Sequence, residues 1–271
     1  MKKLLCFLCL FILLTPLTVA EQELPTWEYP IEPVILKDAS GFLVLTNKSS
    51  LLDSSFAPDD LVNVTLKREG SCQLRKPIHD ALSDMFAAAK EAGYTLYVKS
   101  AYRSYQTQNT MYYNRKERLG YDDGLVAYPG SSDHQTGMGI DVLNYEWMQK
   151  DGMNYRFAEE KEAQWMAEHC HEYGFVIRYL KDKEDVTGID YEPWHLRYVG
   201  IEAATYMMEN YLTLEEFTLE WQSYVADFES AYGLSLDEYC KMLSALPEPV
   251  ETGEYGEDGD AEISLFYTST N

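Results

Sequence analysis

The sequence predicts an α+β fold, and three observations support this class. Segments with the 3.6-residue periodicity of amphipathic helices and segments that alternate like β-strands follow one another along the chain. They lack the regular strand–helix–strand rhythm of a parallel α/β protein. No predicted strand runs into a glycine-rich phosphate-binding loop. With 271 residues, 46% of them apolar, the chain can build one medium-sized core with extensions.

The first clearly predicted helix is preceded by a region in which short β-type runs alternate with turns. Residues 41–66 contain short β-type runs, such as 42–45, separated by turn residues. A helix follows, because apolar residues recur at helical spacing on one face, namely Ile78, Leu82, Met85, Phe86 and Ala89. Gly93 ends this helix, and residues 94–99 then alternate as a strand.

The central part of the chain continues with two helices and two strands. Ser104 can cap a second helix that runs to about Leu119. Residues 138–143 alternate as a strand, which puts successive side chains on opposite faces of a sheet. A third helix is predicted over 158–173, followed by a strand over 175–180.

The C-terminal part is predicted to be helical. Residues 194–199 form the last predicted strand, and a helix follows over about 200–211. Two later segments, 213–216 and 235–238, have the pattern of a capping box that starts a helix. Residues 247–271 are acidic and contain repeated glycines, so we expect a disordered tail.

The first residues have the pattern of a secretory signal peptide. Two lysines precede an apolar run over 4–14, and small residues stand at Thr18 and Ala20. The run is shorter than the roughly 20 residues that cross a bilayer. We therefore expect residues 1–20 to be removed on export, which would leave no stable membrane span.

Charge and cysteine content exclude some classes of partner and site. The net charge of -23 disfavours binding to nucleic acid and to anionic membranes. Export would leave Cys72, Cys170 and Cys240, which allow at most one internal disulfide. None of the three lies in a recognisable catalytic context.

The segment SSDHQTGMGID, residues 131–141, combines a histidine and a carboxylate with two glycines. Imidazole and carboxylate are both ordinary zinc ligands, and a catalytic zinc usually has three protein ligands and one open position. Gly137 and Gly139 permit the sharp turn that would bring His134 towards Asp141. The pair alone indicates a metal site only weakly, since such pairs also arise by chance.

A third ligand has to come from the other four histidines. His79 lies near a helix start and is interpreted as a surface or capping residue. His169 and His171 are two residues apart on a helix, so they point to different faces. His195 lies in YEPWHLRYV, residues 191–199, whose competing interpretation is an ordinary edge strand.

Three further side chains could act on a substrate. Glu192 precedes His195 by three residues, and a carboxylate near a catalytic metal can accept a proton from water and pass it to a leaving amine. Arg103 stands at a strand-to-helix junction in SAYRSYQTQ, where it could clamp a carboxylate or stabilise an oxyanion. Gln108, one helical turn further on, could supply an amide to the same ligand. An isolated arginine at a helix start is, however, most often simply solvated.

Taken together, three segments resemble one enzyme family. Residues 100–108, residues 129–137 with Asp141, and the segment EPWHLRYVG at 192–200 have the order and spacing of the VanY-type D-alanyl-D-alanine carboxypeptidases. These enzymes are close relatives of the bacterial LD-carboxypeptidases that trim peptidoglycan stem peptides. The segment LVLTNK at 43–48 is also similar to the N-terminal part of that family, and the resemblance extends over about residues 42–217.

The resemblance implies a metal centre and a general base. His134, Asp141 and His195 correspond to the ligands of one zinc ion. Glu192 corresponds to the general base of the family. The implied fold is a small α+β zinc-peptidase domain, shared with the Hedgehog signalling domain, in which an antiparallel sheet is flanked by helices.

Three more matched residues would face the substrate. Arg103 corresponds to the arginine that holds the substrate and stabilises the tetrahedral intermediate. Gln108 and Ser132 correspond to residues that help to hold the terminal carboxylate and the backbone of the peptide. The sequence departs from the family pattern at Asp133, where glutamate is usual, and at Gly139, where alanine is common, and neither change removes a ligand or a catalytic group.

The sequence and the resemblance together predict five parts of the chain. They are a signal peptide (1–20), a linker or extended arm (21–41), a zinc carboxypeptidase domain (42–217), a C-terminal helical extension (218–246) and an acidic disordered tail (247–271).

The implied function is zinc-dependent removal of the C-terminal D-alanine from peptidoglycan stem peptides by a secreted enzyme associated with the cell envelope. D-Ala-D-Ala specificity is expected from the family's broader assignment. An LD-carboxypeptidase that trims tetrapeptides to tripeptides is an alternative, because motifs do not report pocket shape. A non-catalytic wall-binding zinc module is a further alternative. Glu192 and Arg103 argue against that module, which need not keep both.

Overall fold

The computed structural model describes residues 24–246, so the predicted signal peptide and the predicted acidic tail lie outside the described residues. The described part contains two antiparallel sheets with helices packed around them, which confirms the α+β prediction. Among the helices of residues 24–246, none is long and apolar enough to span a membrane.

The larger sheet is built from four short strands: β3 (Tyr97–Ser100), β4 (Gly139–Leu143), β5 (Phe175–Ile177) and β6 (His195–Tyr198). Their order across the sheet is β3-β4-β6-β5, and every neighbouring pair is antiparallel. Because β6 pairs with a strand on each side, the interpretation of the segment around His195 as an edge strand is wrong. A separate antiparallel pair is formed by β1 (Leu61–Asn63) and β2 (Gln73–Arg75).

The described helices surround these sheets: α1 (Pro33–Leu36), α2 (Lys76–Glu91), α3 (Tyr105–Leu119), α4 (Tyr145–Met148), α5 (Lys161–His169), α6 (Glu184–Thr187), α7 (Ile201–Glu209), α8 (Leu214–Tyr232) and α9 (Leu236–Ser244). The predicted caps are present. The Ser104 hydroxyl accepts a hydrogen bond from the Thr107 backbone N–H at the start of α3, and Gly120 ends α3 in the left-handed conformation. Both predicted capping boxes are formed, at the starts of α8 and α9.

The main core lies between α2 and one face of the larger sheet. The apolar stripe of α2 is fully buried at Ile78, Leu82, Met85 and Ala89. It belongs to the same cluster as Val98, Ile140, Val142 and Leu196 of the sheet. Full burial of each large aliphatic side chain contributes roughly 1.5–3 kcal/mol. Since successive side chains of a strand point to opposite faces, this packing turns Asp141 away from Ile140 and Val142.

Two predicted elements differ from the structure. Residues 42–45 are not a strand, because the carbonyls of Phe42 and Val44 accept hydrogen bonds from the Arg197 guanidinium and not from a neighbouring strand. The predicted third helix over 158–173 is interrupted: α5 is preceded by the 3-10 helix Tyr155–Glu159 and followed by the 3-10 helix Cys170–Tyr173.

The N-terminal segment packs against the C-terminal helices. The ring of Trp27 lies 5.0 Å, centroid to centroid, from the rings of Tyr224 and Phe228, and 5.8 Å from that of Tyr239. The described residues of the predicted linker or extended arm, from 24 onward, thus include one that contacts helices α8 and α9. The predicted boundary at residue 217 falls inside helix α8. This helix runs on to Tyr232 and ends at Gly233, which has the left-handed conformation of a helix C-cap.

Candidate metal centre

The sheet brings two of the predicted metal ligands face to face. Asp141 of β4 and His195 of β6 are directly paired across the antiparallel ladder. The third, His134, lies in the 3-10 helix Asp133–Thr136, which immediately precedes β4. Asp141 and His195 are therefore placed by strand register and His134 by the turn before the strand.

The two glycines of this segment have different roles. Gly137 has a φ of 70°, in the left-handed region that favours glycine, and it ends the 3-10 helix. Gly139 needs no unusual φ, but a Cβ added there would lie 2.8 Å from the backbone carbonyl carbon of Asp133. The absence of a side chain thus lets β4 begin directly against the loop that carries His134.

One hydrogen bond fixes the orientation of the His134 ring. Its Nδ1 lies 2.7 Å from the carbonyl oxygen of Ala101, which can only accept, so Nδ1 carries the hydrogen. The lone pair on Nε2 is then free to bind a metal, as is usual for a histidine ligand held by a carbonyl. Burial and the nearby Arg103 charge lower the pKa of His134, which favours the neutral imidazole.

The three donor groups are spaced as metal ligands. His134 Nε2 lies 3.3 Å from Asp141 Oδ2, and His195 Nδ1 lies 3.5 Å from Asp141 Oδ1. Tetrahedral zinc with bonds of about 2.0–2.1 Å has ligand atoms roughly 3.3–3.4 Å apart. Burial alone raises the pKa of Asp141, but the two imidazoles and Arg103 outweigh it and bring the pKa to about 2.

A missing partner also indicates a cation at this position. Among residues 24–246, no group donates a hydrogen bond to the buried Asp141 Oδ1. A buried ionised oxygen is costly unless it is paired or bound to a metal. Within the same described range, this is the one group of three histidine, cysteine or acidic side chains whose ligand atoms all lie within 4.8 Å of one another. The residues therefore fit a zinc ion.

Glu192 lies next to this group of ligands. Its Oε2 is 3.2 Å from His195 Nδ1, and the residue is only 8% exposed. A tight turn holds it there, because the His195 backbone N–H donates to the Glu192 carbonyl at 3.1 Å. Burial raises the pKa of Glu192, although the hydrogen bond with His195 opposes the shift. The site thus contains a second carboxylate, which is more basic than an ordinary glutamate.

Arg103 is tied to the loop that carries His134. Its backbone N–H donates to the His134 carbonyl at 3.0 Å, and its Nη1 donates to Gln108 Oε1 at 2.8 Å. Its Nη2 donates to the Ser100 hydroxyl at 3.1 Å. The fully buried Gln108 amide also donates to the Ala127 carbonyl at 2.7 Å. The contacts of Gln108 in the structure therefore orient Arg103.

All the predicted site residues line one cavity of about 170 Å³: Arg103, Gln108, Ser132, His134, Asp141, Glu192 and His195. The sequence did not predict its apolar wall, which includes Met111, Leu125, Met153, Ile189 and Trp194. These side chains come from separate loops and helices and carry no ligand chemistry. Of these apolar residues, only Trp194 could have been predicted from the sequence to lie near the site, because it stands between Glu192 and His195.

The remaining histidines considered as ligands lie elsewhere. His79 Nε2 contacts the Thr65 hydroxyl at 3.0 Å, and His169 Nδ1 contacts Glu172 at 2.8 Å. His171 lies in the 3-10 helix Cys170–Tyr173, outside the lining of this cavity. His195 is thus the histidine that joins His134 and Asp141.

Comparison with known proteins identifies the family. Residues 71–201 match the model of the VanY family, described as D-alanyl-D-alanine carboxypeptidase. The chain is 40% identical to YodJ of Bacillus subtilis (strain 168) over 191 residues, which cover 67% of this chain and 68% of YodJ.

Solved structures agree with this match. The LdcB LD-carboxypeptidase superposes with a TM-score of 0.61 at 40% identity, covering 64% of this chain and 84% of that chain. The vancomycin-resistance D,D-pentapeptidase VanY, solved with Zn(II), gives a TM-score of 0.54 at 29% identity and covers 65% and 98%. VanYB, solved with D-alanine-D-alanine, superposes with a TM-score of 0.55 at 29% identity, covering 65% of this chain and 97% of that chain. The site described above lies within the matched residues, and the chain therefore belongs to the VanY family of carboxypeptidases and is a peptidase.

Proposed function

We propose that this protein is a zinc-dependent carboxypeptidase that removes the C-terminal D-alanine from peptidoglycan stem peptides. The observation that carries the proposal is the buried group of His134, Asp141 and His195, with Glu192 beside it and Arg103 in the same cavity. This set combines a metal site, a base and a fixed positive charge, which are the parts that hydrolysis of a peptide bond at a free C-terminus requires.

Three side chains would hold the zinc ion: His134, Asp141 and His195. When bound, zinc supplies a Lewis acid that activates water and polarises the scissile carbonyl. The VanY structure that contains Zn(II) supports this choice of metal.

The protein's own groups would move the proton and stabilise the charge. Glu192, whose pKa is raised by burial, would accept the proton of the attacking water and pass it to the leaving amine. Arg103 uses two of its five N–H donors for Gln108 and Ser100. Its remaining donors would bind the substrate carboxylate or the developing oxyanion. The apolar wall with Met111 and Leu125 offers a surface that suits the methyl groups of alanine.

The residue before the scissile bond distinguishes two candidate functions. The description of the matched family supports a DD-carboxypeptidase, which cuts between two D-alanines, as does the VanYB structure with D-alanine-D-alanine. The higher identity and TM-score of LdcB favour an LD-carboxypeptidase as the second candidate. Both reactions release a C-terminal D-alanine.

An assay with two peptides tests the function. The zinc-loaded protein is incubated separately with a pentapeptide ending in D-Ala-D-Ala and with the corresponding tetrapeptide, and the products are identified by mass spectrometry. We expect loss of one alanine from the pentapeptide, inhibition by a chelator and recovery with zinc. Cleavage of the tetrapeptide alone would establish the LD reaction. Zinc binding without cleavage of either peptide would indicate the non-catalytic wall-binding module.

We also propose that the enzyme acts outside the cell, at the envelope, where its substrate is found. The support is the signal-like pattern of residues 1–20. N-terminal sequencing of protein recovered from the medium or the envelope checks this proposal, and an intact Met1 terminus on cell-retained protein would contradict it.

A further inference from the structure

A buried carboxylate stands directly before the ligand His134. Asp133 is 0% exposed, and its Oδ1 accepts a hydrogen bond from the Thr46 hydroxyl at 2.7 Å and an ion-paired hydrogen bond from Arg197. Its Oδ2 accepts from Arg178 Nε at 2.7 Å. Burial by itself raises the pKa of Asp133, but Arg197 and Arg178 outweigh it and hold the pKa well below its usual value. The loop that carries His134 is therefore fixed by two buried guanidinium groups.

Arg178 bridges this loop to a distant helix. While Nε binds Asp133, its Nη1 and Nη2 donate to Glu215 Oε2 and Oε1 at 2.8 and 2.7 Å. This is the bidentate geometry in which arginine binds a carboxylate most strongly. Arg178 is 1% exposed and the Glu215 side chain 11%, so water screens the pair little. Glu215 thus holds the guanidinium that holds Asp133.

The start of α8 positions Glu215. Glu215 follows Leu214, the first residue of α8, where the helix dipole favours a negative charge. The capping box between Thr213 and Glu216 fixes this turn, and Asn47 donates to Glu215 Oε1 at 3.3 Å. Glu215 lies beyond residues 71–201, which match the family model.

The same arginine also adjoins the other histidine ligand. The Arg178 backbone N–H donates to the His195 carbonyl at 3.0 Å. The ring of Tyr179, the next residue, packs edge-on against the His195 ring, with centroids 4.9 Å apart. A displaced Arg178 would therefore disturb two of the three ligands.

Charge balance indicates what Glu215 contributes. The cluster contains two guanidinium groups, on Arg178 and Arg197, and two carboxylates, on Asp133 and Glu215. Without Glu215, one positive charge would remain buried and uncompensated close to the cation site, which is unfavourable for binding a metal.

We propose that Glu215 is a positioning residue for the metal centre, acting through Arg178 and Asp133 on the loop that carries His134. The inference rests on the proposed zinc site but not on the identity of the peptide substrate. Partners that orient metal ligands typically contribute 10–100-fold to metal affinity, and because Glu215 acts through two intervening side chains we expect about tenfold.

Metal affinity of the full chain tests the proposal. Zinc is titrated into the metal-free wild type and Glu215→Gln in competition with a chelator of known affinity, and the Co²⁺ absorption spectrum reports ligand geometry. Glu215→Gln should bind zinc about tenfold more weakly and alter the Co²⁺ spectrum. The matched control is Glu216→Gln, which removes a charge from the same helical turn, keeps one side-chain oxygen for the capping box with Thr213 and loses the partly exposed Lys183 pair. It should change zinc affinity by less than about twofold.

Two results would overturn the proposal: Glu215→Gln with the affinity and spectrum of the wild type, or Glu216→Gln with an equal loss. If Glu215→Gln does not fold, Glu215→Asp decides. It keeps the charge but is too short to keep both bonds to Arg178, so it should show an intermediate affinity, and wild-type affinity would overturn the proposal. A wild-type chain that binds no zinc would overturn the proposed function together with this inference, whereas wild-type binding with an unaffected Glu215→Gln variant overturns this inference alone.

Discussion

At the scale of single residues, Glu192 is the group on which proton transfer would depend. Replacing it with alanine should leave the three ligands in place, because Asp141 and His195 lie on paired strands and the Ala101 carbonyl holds the His134 ring. We expect Glu192→Ala to retain stoichiometric zinc, measured by elemental analysis, and to lose at least about 10²-fold in D-alanine release. Wild-type turnover in a variant that keeps its zinc would refute the assignment of Glu192 as the base.

Gln108 has a different role at the same scale, because it links Arg103 to the Ala127 carbonyl. Gln108→Leu would remove the hydrogen bond to the half-buried Ala127 carbonyl, which costs about 0.5–1.5 kcal/mol of unfolding free energy. Arg103 would also lose an acceptor, so we expect a higher KM for the peptide with unchanged zinc content. Gln108→Glu keeps the acceptor for Arg103 and serves as the control. Equal kinetic losses in both variants would mean that orientation of Arg103 is not the cause.

At the scale of elements, the start of α8 combines a cap with a functional contact. The Thr213 side chain accepts from the Glu216 backbone N–H, and Thr213 is 1% exposed. Thr213→Ala should lower the free energy of unfolding by about 1–2 kcal/mol in urea denaturation. Thr213→Ser keeps the hydroxyl and should restore most of that loss. If the serine variant is as unstable as the alanine variant, packing of the threonine methyl group, and not the cap, stabilises the helix start.

At the scale of the whole molecule, zinc should couple the site to global stability. A ligand that binds only the folded state stabilises it by about 4 kcal/mol when its concentration is 1,000 times Kd. We therefore expect zinc to raise the thermal midpoint and a chelator to reverse the effect. Asp141→Asn provides the control, because it removes one charged ligand from the set and should show a much smaller shift. A shift of equal size in that variant would place the stabilising zinc elsewhere.

Much of the fold could be predicted where local signals are strong. Helices α2 and α3 follow from apolar periodicity and from the Ser104 cap, and both later capping boxes are formed. The lengths of the strands and the conformation of residues 42–45 could not be predicted in this way. That segment has β-type composition, but its carbonyls bind the Arg197 guanidinium, a contact 153–155 residues away in the chain.

The sequence alone determined which kinds of side chain the site contains, namely histidine and carboxylate ligands, a glutamate base and an arginine, and which short motifs carry them. His134 and Asp141, Arg103 and Gln108, and Glu192 and His195 each lie within one short segment, so spacing could reveal them. Spacing left the third ligand open and the family resemblance assigned it to His195. Only the tertiary structure brings that histidine against Asp141, because β4 and β6 pair although they are far apart in sequence. It alone showed the apolar cavity wall and the bridge from Glu215 through Arg178 to Asp133. The physical reason is that a buried ion pair depends on desolvation and on the meeting of distant segments, neither of which has a local pattern.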